Sequence, residues 1–167
     1  MHRKSVILFP LLFFCFLFTA QTYHFTRYGV KDGLAQSNVS GIVQDSSGFY
    51  WIATEGGVSR FDGKNFVSFT TDDGLADNNV SAIYLDRKNN IWLGHENGSL
   101  TRYDGRQFKA INSRLLPKDK KIYGFYQDRS NCLWVCTATG GAIKIMDPSR
   151  DPGDKFKLHI KVYSGRD

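Results

Sequence analysis

Carboxylates, histidines and thiols are the groups in this chain whose spacing could support chemistry. Glu55 and Glu96, or the adjacent Asp72 and Asp73, would serve as an acid–base pair for glycoside chemistry if two of them flanked a sugar. All four sit in Gly-, Asn- and Asp-rich clusters, where short acidic side chains make and cap turns, and that is the reading adopted. The isolated Ser, His and Asp residues form no recognisable nucleophile–base–orienter set. His24, His95 and His159 lack metal-ligand spacing, and Cys132 with Cys136 would need two more ligands to hold zinc. No metal site, no cofactor and no catalytic residue is therefore expected. On one strand the two cysteines would stand roughly 13 Å apart, beyond the reach of a disulfide.

The elements around these residues are better defined than any chemistry. The chain has 167 residues, 41% hydrophobic and 23% charged, with a net charge of +6. That balance excludes a disordered tail, a collagen-like repeat and a multispan membrane protein. Hydrophobicity is concentrated in Val6–Phe18, preceded by His2, Arg3 and Lys4 and followed by Thr19-Ala20. This is the three-part layout of a secretory signal, expected to be cleaved after Ala20 and to export the remainder. The apolar run is shorter than the ~20 residues a spanning helix needs. Removing Arg3 and Lys4 leaves 20 − 16 = +4, too mild a charge to argue for nucleic acid.

After the leader the chain repeats. Asp32-Gly33-Leu34-Ala35 returns as Asp73-Gly74-Leu75-Ala76, and Asn38-Val39-Ser40 as Asn79-Val80-Ser81. Arg60-Phe61-Asp62-Gly63 reappears as Arg102-Tyr103-Asp104-Gly105, and Asp45, Asp86 and Asp128 each precede a tryptophan at one offset. Trp51, Trp92 and Trp134 thus fall on one repeat position, as do the turn glycines Gly33 and Gly74, and Gly57, Gly98 and Gly140. Each unit alternates with period two and breaks often; Val39–Gln44, Tyr50–Thr54, Val58–Phe61 and Asn65–Phe69 read as strands. Four short strands in about 41 residues is the size of a β-propeller blade. The expected architecture is an all-β chain of antiparallel four-stranded blades in an incomplete ring. Its units are 32–72, 73–114 and 115–155 within a propeller segment 21–167. The dipeptides after the tryptophans do not fit WD repeats, and kelch repeats, though they share the glycine doublet, run longer.

Small residues at Gly41, Ala82 and Gly124 are expected on the strand nearest the crowded axis. Ala53, Gly94 and Cys136 form a second small set, with Cys136 as a compact core residue. The tryptophans, with Phe61 and Tyr103, are expected to fill the space between blades.

The run Ile42–Gly63 with its Asp45, Gly48, Trp51, Gly56-Gly57 and Phe61-Asp-Gly63, continuing to Asp73-Gly74-Leu75 and Asn79-Val80, resembles the two-component-regulator propeller repeat. The second unit matches through Ile83, Asp86, Trp92-Leu-Gly94 and Tyr103-Asp-Gly105, and the third keeps Asp128, Trp134 and Gly140-Gly141. The resemblance implies the periplasmic part of a bacterial hybrid sensor, in which seven-bladed propellers precede a membrane helix and cytoplasmic kinase, receiver and DNA-binding parts, and which in many cases detects oligosaccharides. No kinase histidine box, ATP-binding glycine motif or receiver acidic cluster is present in these residues. The expected role is therefore a sensory segment without kinase activity, attached to a membrane only through downstream parts. A secreted propeller serving as interaction scaffold or carbohydrate-active domain is the alternative.

In a propeller, the loops from fourth to first strand and from second to third strand open on one side. Those loops carry Asp77, Asn78 and Asn79, with Glu55 on one unit and His95, Glu96 and Asn97 on the next. Such a patch suits an oligosaccharide or another small polar ligand, which needs many oriented hydrogen bonds. Segment 156–163 alternates like a further strand. Blades bury their faces only against neighbours, so three units are expected to associate with themselves or with further blades.

Overall fold

The computed structural model describes residues 23–111, 116, 118–146, 148 and 159–163. The proposed signal, 1–20, lies outside them. Twelve strands form three antiparallel four-stranded sheets. The first blade comprises β1 (Val39–Gln44), β2 (Tyr50–Thr54), β3 (Gly57–Phe61) and β4 (Phe66–Phe69). The second comprises β5 (Val80–Leu85), β6 (Ile91–His95), β7 (Leu100–Tyr103) and β8 (Phe108–Ile111). The third comprises β9 (Ile122–Gln127), β10 (Leu133–Thr137), β11 (Ala142–Met146) and β12 (His159–Tyr163). Each sheet is an up-and-down meander, and the first strands β1, β5 and β9 lie side by side. The described residues form three blades of an open β-propeller.

The repeated aspartate has a concrete task. Asp45 Oδ1 accepts the N–H groups of Ser47 (2.9 Å) and Phe49 (3.1 Å), closing the β1–β2 turn, while Oδ2 accepts the Trp51 indole N–H at 2.8 Å. Asp86 does the same for Lys88, Asn90 and Trp92, and Asp128 for Ser130, Cys132 and Trp134. One carboxylate therefore fixes the hairpin and satisfies a buried indole, which accounts for the constant Asp-to-Trp offset.

The Asp-Gly-Leu-Ala motif is equally local. Val30–Asp32 and Thr71–Asp73 form short 3-10 turns closed by Gly33 (φ 107°) and Gly74 (φ 103°), backbone angles that favour glycine. Leu34 and Leu75 are then buried, and the N–H groups of Ala35 and Ala76 donate to Ser59 Oγ and Thr101 Oγ1, both at 2.9 Å. Gly57 (φ 132°) is required for space as well, since a Cβ there would lie 2.3 Å from the Phe69 carbonyl oxygen. Gly98 is also left-handed, whereas the β10–β11 turn of the third blade places its positive φ angles at Thr139 and Gly141 rather than at Gly140.

Tryptophans join the blades. Trp51 is buried with Leu75, Val80, Ile91 and Leu93 of the second blade, and Trp92 with Ile122, Leu133, Val135 and Ile145 of the third. Trp134 is only half-buried, stacking near Tyr163 (5.4 Å between centroids). A hydroxyl latch accompanies each junction: Ser40 Oγ donates to the Val80 carbonyl (2.7 Å) and Ser81 Oγ to the Ile122 carbonyl (2.8 Å). Small residues follow the same logic, since a Cβ on Gly41 would meet Ile83 at 2.9 Å and one on Gly94 would meet Ile122 at 2.3 Å. Two small-residue expectations need correction. Gly124 has nothing within 4 Å of a Cβ, and Cys136 is exposed rather than a core residue. Both lie on the third blade, beyond which no described residue packs. The fourth strand of that blade, β12, comes from the alternating segment beyond residue 155.

Candidate ligand-binding face

One end of each blade is clamped the same way. The N–H of Glu55 donates to the Asn38 carbonyl (3.4 Å), that of Glu96 to the Asn79 carbonyl (3.1 Å), and that of Ala138 to the Lys121 carbonyl (2.8 Å). These bonds tie each second-to-third-strand turn to the segment entering the first strand, so the two loop types share one face.

Several candidate side chains on this face are already engaged. Asp77 Oδ1 accepts the Asn79 N–H at 3.0 Å, and Asn78 Oδ1 accepts the Thr71 N–H at 2.8 Å. Asn97 Oδ1 accepts the N–H (2.9 Å) and hydroxyl (2.6 Å) of Ser99, forming the turn before β7. His95 is not on the surface at all. It is 0% exposed, with Nε2 2.9 Å from Thr101 Oγ1 and Nδ1 without a hydrogen-bond partner. Burial pushes its pKa down to about 4, against a weaker opposing pull from Asp77. A histidine in that position packs the blade and cannot reach a ligand on the face.

Exposed groups remain at Glu55 and Glu96. Asn38 Nδ2 donates to Glu55 Oε1. Lys121 Nζ pairs with Glu96 Oε2 at 3.0 Å, spanning the second and third blades, and stands 5.9 Å from the Tyr123 ring centroid. The hydrogen bond to Glu96 raises the Lys121 pKa, so the ammonium stays charged at neutral pH. Asn38 and Lys121 were missed by sequence reading, although both occupy the repeat position of Asn79. Among the described residues no group of three or more His, Cys, Asp or Glu side chains could hold a metal. The arrangement offers carboxylate, amide and ammonium groups around backbone turns.

Residues 33–56 and 74–97 match the family model described as two component regulator propeller. Both stretches run from the Gly-Leu-Ala turn through the tryptophan of one blade to its face loop. These are two-component-regulator propeller repeats. Over 62 residues the chain is 39% identical to histidine kinase P4 of Formosa agariphila, a match covering 37% of this chain and 4% of that protein. Among solved structures it is similar to the extracellular domain of a putative hybrid two component system from B. thetaiotaomicron, with a TM-score of 0.67 and 20% identity over 84% of this chain and 19% of that one. A streptogramin B lyase is similar in fold too (TM-score 0.60, 16% identity, 81% of this chain and 43% of that one). The chain thus spans less than half the length of each of these proteins. At such identities the structural likenesses show the propeller fold alone.

Proposed function

We propose that this chain is a ligand-sensing propeller segment of an exported two-component sensor, non-catalytic itself, and that its loop face takes a hydrated ligand of oligosaccharide type. The observation that carries the reading is the clamp repeated in three blades: it sets the face loops of two-component-regulator repeats side by side with Asn38, Glu55 and Glu96 exposed and Lys121 half-buried. Asp77, Asn78 and Asn97 shape the turns of that face, and Asn79 belongs to it through its backbone. The Glu96–Lys121 pair crosses a blade boundary, so a ligand bridging it would report on the relative position of two blades.

Titration of the purified chain against a panel of neutral and acidic oligosaccharides tests this. Glu96→Gln and Lys121→Met are expected to weaken binding of the responsive sugar at least tenfold while leaving the unfolding curve in place. Wild-type affinity in both variants would remove the face from the reading. Export is tested separately: mature protein should begin at Gln21 and lie outside the cytoplasm, and an intact Met1–Ala20 on the product would contradict cleavage.

A further inference from the structure

Residues 25–28 belong to none of the three sheets, and Phe25 is 91% exposed. The backbone they lead into nevertheless matches the exit of β4. Gly29 (φ −148°, ψ −170°) takes the place of Thr70 (φ −134°, ψ −169°), and each opens a 3-10 turn closed by a left-handed glycine, Gly33 or Gly74. The Gly29 N–H donates to Asp32 Oδ2 and the Thr70 N–H to Asp73 Oδ2, both at 2.8 Å. The Leu34 and Leu75 N–H groups donate back to the Gly29 and Thr70 carbonyls, both at 3.3 Å. Tyr28 stands 5.7 Å from the Phe66 ring, as Phe69 stands 5.1 Å from that of Phe108 one repeat later. Residues 25–28 thus occupy the place of Phe66–Phe69, the outer strand of a blade, with no described strand beside them.

The surface next to them is the uncovered half of a blade junction. An apolar groove of about 340 Å³ is lined by Tyr28, Leu34, Val39, Tyr50 and Ile52, among others. On the second blade the counterparts of the last four are Leu75, Val80, Ile91 and Leu93, and these are buried together with Trp51. Trp51 also stacks on Phe69, the counterpart of Tyr28, at 5.7 Å. The groove therefore has the lining of a tryptophan seat.

We propose that residues 25–28 are the fourth strand of a further blade, whose first three strands come from another two-component-regulator repeat of the same sensor, and that the tryptophan of that repeat fills the groove. The proposal rests on the reading of this chain as part of a longer sensor. The three described blades cannot supply those strands, in this copy or in a second one, because each already has a fourth strand in β4, β8 or β12. A backbone ladder then holds residues 25–28 to the donated strands on one side, while the groove holds their tryptophan on the other. The first blade is fastened to its outer neighbour by both.

Amide exchange read residue by residue, without ligand, on the whole exported product of the gene tests this. Residues 25–28 should show the protection of residues 66–69. Ile42→Glu should abolish it and leave β6 unchanged: Ile42 is 58% exposed, but its counterpart Ile83 packs against Gly41 across the next junction. A second measurement uses a fusion in which a copy of residues 76–107, carrying β5 to β7, is joined directly to Phe25, so that Gln107 precedes Phe25 as it precedes Phe108. The fusion should protect residues 25–28 and raise the urea midpoint above that of the chain beginning at Gln21, and Ile42→Glu should remove both gains. Free exchange of residues 25–28 in both proteins places the failure in the strand assignment. Free exchange in the native product with protection in the fusion places it in the sensor reading, and either result overturns the proposal. Protection that survives Ile42→Glu overturns the role given to the groove.

Discussion

His95 is the residue at which the second blade departs from its neighbours, which carry Thr54 and Thr137 in the same place, each donating its hydroxyl to a turn carbonyl (Gly57 and Gly141). The imidazole is fully buried and its pKa falls from 6.5 to about 4, chiefly because burial disfavours the charged form. The sign of the linkage follows. Above pH 6.5 both folded and unfolded chains hold a neutral ring. As the pH falls from 6.5 towards 4 the unfolded chain binds a proton that the folded one refuses, and stability is lost, by on the order of 3 kcal/mol in total. His95→Thr should flatten that dependence whatever it does to stability at neutral pH. Denaturant midpoints measured at intervals between pH 7 and pH 4 would show it, and parallel curves for the two proteins would refute it. Sequence reading put His95 on the ligand face because its repeat position adjoins a turn. Nothing in the spacing showed that the side chain turns into the blade, since that depends on the space left when Thr is replaced within a sheet.

At the scale of the element, the blades were legible because their determinants are local. An aspartate closes a turn and holds an indole six residues further on, and a glycine ends a 3-10 turn, so the pattern in the chain and the hydrogen bonds coincide. Packing was legible only where both sides of a junction are present. Trp51 and Trp92 meet a following blade and are 1% and 0% exposed, whereas Trp134 has no such partner among the described residues and stays half-buried. Trp92→Ala should therefore cost about 3–5 kcal/mol, the usual penalty for emptying a buried aromatic site. Trp134→Ala should cost less than half of that in dilute monomer. Equal shifts in the two urea curves would mean that the third blade is covered from another part of the chain. The third unit also hid its last strand: its β11–β12 connection is much longer than the tight Asp62–Asn65 and Asp104–Gln107 turns of the other blades, whose Asp-Gly signature it lacks. The alternation of 156–163 was visible, but its membership in the third sheet was not.

The three described blades form a short linear array, in which each blade is stabilised by its own sheet and by the junctions it shares. The second blade shares two junctions, and every residue of β6, Ile91 to His95, is buried. The first blade keeps its outer groove uncovered, and the third keeps Tyr126 and Met146 exposed at 62% and 41%. Opening an end blade breaks one junction; opening the middle blade breaks both, which requires nearly the whole array to unfold. Amide hydrogen exchange should report this as a gradient, slowest in β6 and faster in the matching central strands β2 and β10, when the chain is dilute enough to be monomeric. Exchange followed by mass spectrometry reads the gradient strand by strand. Uniform protection in dilute monomer would show that the end blades draw their stability from within their own sheets, and that the uncovered faces cost the molecule little.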